Sequence, residues 1–311
     1  MPKATKFILV FATVSLLVGI TLVCIGAVFG GARVVNFSLP GGWRIYNGEL
    51  TAFEDFSYKA NEPVSRIKVT ADAAQVYLIE GDHFFVDGNY DPNYWDLSFM
   101  EIDGLMTVEL RAKPNFPYPL DFPLNPDYHA ELCVYYASDR LIQSVEINCN
   151  AANVLVGHLV SENVSFSFNA VLANIDSINC KNFKLEMNAG NANFVELKAT
   201  QSAKMTMNAG SMVFDKVDLN KLDLTMNAGY IDLSGCLSGS NVINAAAGSL
   251  DMRLDQKASE LYFICKVELG DLNINGSRVS GLSSGTSIGS ASAPTKVDLK
   301  VQVGTVSIST R

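Results

Sequence analysis

Histidine is almost missing from this chain. Three occur in 311 residues, His83, His129 and His158. They lie far apart, and none belongs to an HExxH segment, a nucleophile elbow or any other arrangement that sets a base beside a nucleophile. Cysteine is sparse and unpatterned as well. Cys24 lies in an N-terminal apolar run, and Cys133, Cys149, Cys180, Cys236 and Cys265 stand outside it. No CxxC and no Cys/His spacing suggests metal or redox chemistry. An odd, scattered set favours buried thiols over a disulfide framework. Basic residues are also in deficit, with 23 Lys and Arg against 32 Asp and Glu. Residues 1–33 hold Lys3, Lys6 and Arg33 and no carboxylate, leaving 20 basic against 32 acidic side chains, net −12, for the remainder. Such a surface repels nucleic acid, and no basic groove is visible. Some β-helix enzymes cleave polysaccharides with Asp and Arg/Lys clusters on one face, but no such cluster shows here. The expectation is a protein that is not an enzyme and needs no cofactor.

Charge is wholly absent from residues 7–29, a run of 23. At about 1.5 Å per residue this reaches roughly 34 Å as a helix, enough to span a bilayer. A cleaved signal peptide with small residues near Gly30–Ala32 is the alternative, although its apolar core is usually shorter, about 7–15 residues. Val23 before Cys24 does not fit a lipoprotein box. Lys3 and Lys6 favour an inside amino terminus. The expected order is therefore a cytoplasmic N-terminus (1–6), a single transmembrane helix (7–29), a stalk with entry strands (30–63), and a repeat domain (64–311) outside the cell membrane.

What fills that domain is repetition. Between residues 145 and 254 one pattern recurs about every nineteen residues, most plainly as Met-Asn-Ala-Gly at residues 187–190, 207–210 and 226–229. Anchored on Asn150, Asn169, Asn188, Asn208, Asn227 and Ala246, the spacings are 19, 19, 20, 19 and 19. Apolar residues stand three before the anchor (Ile147, Phe166, Leu185, Met205, Leu224, Ile243) and one before it (Cys149, Phe168, Met187, Met207, Met226, Ala245). The residues between are largely polar, which is the alternation of a strand with one face buried. The next inward pair lies four and six past the anchor, as in Ala192 with Phe194 or Ile231 with Leu233. That phase slip marks a corner, where Gly190, Gly210, Gly229 and Gly248 stand. Two strands and two corners fill nineteen residues and leave no room for a helix.

One such coil cannot cover its own apolar face, whereas stacked coils build a continuous core. The fold expected is all-β, a single-domain β-solenoid with coils about 4.8 Å apart and the anchor asparagines laddered at one corner. The template reappears around Asp72, around Glu268 with Gly270 at its corner, and around Gln302 with Gly304. In these last two coils Leu269 and Val303 take inward positions. Insertion loops are expected at 112–127 and at 276–295. Residues 114–126 carry five prolines, which cannot donate to a ladder. Gly, Ser and Ala dominate 276–294, read as a mobile insertion between the last two coils.

The hydrophobic anchor, opening strand pair, Asn-Ala-Gly coils, Gly/Ser insertion and closing strand resemble the bacterial "putative adhesin" β-strand repeat family. The resemblance spans roughly residue 64 to the end. It implies single-pass or exported envelope proteins of largely unknown function, with no catalytic residues to carry over. Its motifs are structural, so it speaks to fold more than to function.

Other candidates have plain alternatives. Met187, Met205, Met207, Met212 and Met226 are core fillers by phase rather than a soft-metal stripe. Asp87-Gly-Asn-Tyr-Asp91 has the alternating oxygens of a calcium loop, but Pro92 replaces the usual glycine and Ser98 the closing glutamate. Asn174, Asp176, Asn193, Asp215, Asp232, Asp251 and Asn273 point outward on the second strand. They form a solvated face, or rows able to hold a cation or sugar. The expected function is a non-enzymatic, membrane-anchored scaffold or adhesin facing a wall or surface glycan or an envelope protein. The alternative is an envelope-stress or signalling accessory acting through other membrane proteins. Stacking of solenoid ends into self-assemblies is a third option.

Overall fold

Alternation in period two on either side of a tight corner folds this chain into stacked strands. In the computed structural model the described residues are 34–38, 42–46, 53–114, 130–137, 140–280 and 284–311. The chain divides into two units, 1–49 with 114–121, and 50–113 with 122–311. In the first unit, β1 (Val34–Ser38) and β2 (Gly42–Tyr46) pair antiparallel. The expected transmembrane helix at 7–29 lies outside the described residues. Within them, no helix is long and apolar enough to cross a membrane.

The second unit is one nineteen-stranded sheet among the described residues. The chain runs through β3 (Glu54–Lys59), β4 (Arg66–Asp72), β5 (Ala74–Gly81), β6 (Phe85–Tyr90), β7 (Trp95–Ile102), β8 (Leu105–Ala112) and β9 (Ala130–Ala137). The regular coils follow as β10 (Ile142–Asn150), β11 (Ala152–Phe168), β12 (Val171–Met187), β13 (Gly190–Met207), β14 (Ser211–Asn220), β15 (Leu222–Met226), β16 (Tyr230–Ser238) and β17 (Ser240–Leu254). A 3-10 turn at Ala258–Glu260 then leads to β18 (Leu261–Ile274), β19 (Ser277–Ser280), β20 (Ser284–Gly289) and β21 (Thr295–Thr310).

Each coil pairs parallel with its neighbour at the repeat distance, as in Phe166↔Leu185 and Leu185↔Met205. All twelve residues placed one and three before the anchors are buried. Phe166 meets Phe183 of the next coil edge-on at 6.0 Å, Phe183 meets Phe194 of its own coil edge-on at 5.7 Å, and Phe194 stacks on Phe214 of the following coil at 4.8 Å. The five methionines of the apparent stripe, 187, 205, 207, 212 and 226, are buried in the same core.

The ends depart from chain order. At the C-terminal end β21 pairs parallel with β17 on one side and with β18 on the other. The last coil of the sequence is thus second from the end of the stack. The supposed Gly/Ser loop 276–295 is not simply a loop, because β19 and β20 within it pair antiparallel with β18 and cover its free edge. The N-terminal end repeats the device. β4 and β5, the first coil, lie between the β10/β11 coil and an outer rung made of β8 and β9. β7 and β6 then pair antiparallel with that rung, and β3 with β6. Residues 82–96 supply β6 to β9 and the start of β7 to β8.

Two-residue turns launch both caps. Asp103-Gly104 (φ 50° and 71°) joins β7 to β8, and Asn275-Gly276 (φ 50° and 83°) joins β18 to β19. Positive φ at both positions suits Asp-Gly and Asn-Gly, whose twist matches that of antiparallel strands. The N-terminal cap is plugged by aromatics. Tyr58 stacks on Phe99 at 4.6 Å, Phe56 approaches the same ring at 6.0 Å, and buried Trp95 donates its Nε1–H to Asp72 O at 2.9 Å.

Leu269 and Val303, assigned inward from the sequence, are 62% and 52% exposed. They occupy the position just past the anchor. There the corner swings the side chain outward, as it does for the alanines of most other coils.

Candidate functional site

The repeat builds its most regular feature at one corner. Asn169 Nδ2 donates to Asn150 Oδ1, Asn208 Nδ2 to Asn188 Oδ1 and Asn227 Nδ2 to Asn208 Oδ1, each at 2.6 Å. All five asparagines are exposed, and Asp72 continues their column opposite Asn150. Burial pushes the Asp72 carboxyl pKa up, opposed by the charge of Arg111.

Beside them runs a column of glycines. A Cβ on Gly190 would lie 2.0 Å from Val171 O, and each later glycine repeats this against the one before it. The sequence of contacts is Gly210 on Gly190, Gly229 on Gly210, Gly248 on Gly229, Gly304 on Gly248 and Gly270 on Gly304. The column therefore follows the stack, not the chain. Gly270 differs from the others in having no left-handed φ, so only the close approach demands glycine there. In coils without the corner glycine, the alanine just past the anchor turns the corner instead, at φ 53° for Ala73, 51° for Ala151 and 61° for Ala170.

A second polar column on the opposite corner has a weaker sequence signal. Asn182 Nδ2 donates to Asn163 Oδ1 at 3.0 Å, and Ser202 Oγ to Asn182 Oδ1 at 2.8 Å. Serine replaces asparagine in the third coil, so the repeated motif does not extend along this column. Ion pairs also link successive coils, among them Lys68–Glu146, Lys198–Asp218, Lys216–Glu196 and Arg253–Asp232. Exposed pairs of this kind contribute little each, about 0–1 kcal/mol.

The outward acidic and amide residues do not form one row. Asn174, Asn193, Asp232, Asp251 and Asn273 share a line interrupted by Val213 and Ser307. Asp176 and Asp215 belong to a neighbouring line. Asp232 is engaged by Arg253 at 2.7 Å. The calcium-like segment is not a loop either. Asp87–Tyr90 lies within β6, and buried Asp91 Oδ1 accepts from the backbone N and the Nδ2 of Asn93, both at 2.9 Å. Among the described residues, no three His, Cys, Asp or Glu are grouped to hold a metal ion.

Cys133, Cys149, Cys180 and Cys265 are buried free thiols, and Cys236 is half-buried. Burial pushes all five up, Cys133 and Cys180 to about 12 and Cys265 to about 11. The folded state therefore keeps protons that the unfolded chain sheds above its thiol pKa near 9. Stability is retained below pH 9 and falls as pH rises from 9 towards 12. Denaturant midpoints at pH 8 and 10.5 should show that decline, and a thiol reagent at pH 8 should label Cys236 first, with the others reacting only on unfolding. Equal labelling of all five in the folded protein would contradict this burial.

The outer face becomes concave beside the first coils, where β5 lies between β9 and β11. One cavity of about 310 Å³ is lined by Glu80, Tyr136, Ala137, Arg140, Leu141, His158 and Val160. A second of about 310 Å³ shares Glu80 and His158 with it and continues past Tyr77, Leu155, Gly157, Asn174 and Asp176. A third, of about 250 Å³, shares Ala137 and Arg140 and includes Asp82 and His83. Tyr136 is 3% exposed, and its Oη has no hydrogen-bond partner among the described residues. Burial, followed by the charge of Glu80, pushes the phenol pKa up. An unsatisfied buried hydroxyl costs about 1–3 kcal/mol. His158 and Asn174 come from different coils and Tyr136 from the outer rung, so sequence spacing gave no sign that they meet.

The sequence profile of Toastrack DUF4097 matches residues 64–309. No curated protein matches the chain. Similar solved structures include a putative adhesin from Parabacteroides distasonis, 12% identical, covering 82% of this chain and 96% of its own, with a TM-score of 0.43. A putative adhesin from Bacteroides fragilis is 13% identical over 82% of this chain and 96% of its own, with a TM-score of 0.36. A putative lipid binding protein from P. distasonis is 12% identical over 85% and 98%, with a TM-score of 0.32. Likenesses at these values carry no functional inference.

Proposed function

Because the chain belongs to the Toastrack DUF4097 family, we propose that it is a non-enzymatic scaffold, anchored by residues 7–29 and displayed outside the cell membrane, where it engages an envelope glycan or protein. The observation that carries this reading is a segregation along the chain. An uncharged run of 23 residues precedes a domain whose coils are apolar within and whose outer rows are polar and acidic in excess. Many inter-coil bonds stiffen that outer surface, and both ends of the stack are covered by antiparallel strands. The outermost covering strands, β3, β7, β19 and β20, are short, four to eight residues each, which disfavours end-to-end self-assembly through long strand edges.

Co-sedimentation of the full-length chain in detergent with purified cell-wall sacculi tests this reading. Saturable binding that persists as salt is raised is the expected result. Binding to membranes but not to sacculi would reject it in favour of an accessory that acts through other membrane proteins. The uncharged run also serves that second reading. Replacing residues 7–29 by an unrelated apolar helix should leave a glycan-binding scaffold active and disable a helix-dependent accessory.

A further inference from the structure

We propose that the depression beside the first coils binds an acidic sugar, with Arg140 taking its anionic group and Tyr136 Oη, Glu80 and His158 taking its hydroxyls. The inference rests on the envelope-glycan reading above and gives it an address.

Tyr136 carries the argument. Its ring is packed into the wall of the cavity, yet its hydroxyl is buried and meets no partner among the described residues. Phenylalanine would fill the same wall without that penalty, so the hydroxyl makes sense when a ligand supplies the missing bond. Arg140 lines two of the three cavities and makes no ion pair among the described residues, although the protein around it is acidic. Its planar fork suits a carboxylate. Leu141 and Val160 stay exposed beside it, 59% and 41%, and offer an apolar floor for the C–H face of a pyranose.

The surroundings exclude other occupants. An extended peptide needs a free strand edge to add to, but here β5 is paired on both sides, by β9 and β11. A densely phosphorylated ligand would face Glu80 and Asp176 with one arginine to oppose them. A ligand with one anionic group and several hydroxyls meets both signs of charge. The two cavities of about 310 Å³ are at the low end of the roughly 300–1,000 Å³ of small-molecule sites. Two adjoining cavities that share Glu80 and His158 match successive units of a short glycan.

The test is calorimetric titration of the full-length chain in detergent with a galacturonic acid trisaccharide, maltotriose and inorganic phosphate, alongside thermal melts. The uronate should bind, and maltotriose and phosphate at least tenfold more weakly. Arg140→Gln should weaken the uronate at least tenfold. Tyr136→Phe should weaken it several-fold while raising the apo Tm by about 2–4 °C, the shift expected when a domain of this size is relieved of a modest local penalty. A merely structural tyrosine would lower Tm and leave affinity alone, which would overturn the assignment. Equal binding of uronate by wild type and Arg140→Gln would remove the arginine's role, and tighter binding of phosphate would replace the sugar acid by a phosphate group. Sacculi bound equally by wild type and both variants would move the glycan site elsewhere and leave the envelope reading standing. Uronate binding without sacculus binding would overturn that reading instead.

Discussion

A chain truncated after Pro294 is expected to lose its cooperative fold. The truncation removes β21, whose Val297, Leu299, Val301, Val306 and Ile308 are all buried. At about 1.5–3 kcal/mol per buried aliphatic side chain, their burial is of the order of 10 kcal/mol, comparable with the 5–15 kcal/mol net stability of a typical domain. Losing the strand also strips β17 and β18 of a parallel partner each and leaves two interior edges open. Far-UV circular dichroism melts and the soluble fraction after expression read the outcome directly. A solenoid stacked in sequence order would shed a terminal coil and keep the rest. A truncated protein with a sharp melt within a few degrees of the full chain would therefore refute the insertion of β21. Leu299→Ala in the complete chain gives a graded version, with an expected loss of about 2–5 kcal/mol.

Gly229→Ala should be strongly destabilising. Gly229 sits at φ 116°, and its new Cβ would lie 2.2 Å from Gly210 O. That carbonyl already accepts the amide of Tyr230 at 3.0 Å, one of the bonds that tie coil to coil. Backbone strain and a clash with backbone add, for a loss of roughly 3–4 kcal/mol and a fall in Tm of about 10 °C. Gly276→Ala separates the two causes. Its φ is 83°, but nothing lies within 4 Å of the added methyl, so only about 1–2 kcal/mol of left-handed strain is expected. Similar losses at both positions in chemical denaturation would show that the column's close packing contributes nothing.

The corner column was legible in the sequence because its cause is local. A methionine before Asn-Ala-Gly marks where a coil turns, and an apolar residue two positions earlier marks which way the strand faces. Leu269 and Val303 were not legible as surface residues, since an apolar residue beside a corner looks like the next member of the alternation. Asp103-Gly104 and Asn275-Gly276 are hairpin signals in the sequence. The second pair straddles the start of a stretch rich in small residues, which masks its hairpin signal. The depression around Tyr136 was invisible for another reason, because its side chains come from strands separated by an entire coil or more.

By itself, then, the sequence determined the unit: nineteen residues, two half-buried strands, a glycine or alanine corner, and a continuous apolar core when units stack. The tertiary structure alone decided the order of the units at both ends, the antiparallel caps and the cavity beside the first coils. The reason lies in the repetition. Every coil offers nearly the same pair of edges, so a local pattern specifies how a coil pairs but not with which neighbour. That choice falls to long-range contacts, the return of β21 between β17 and β18 and of the β8/β9 rung outside β4/β5.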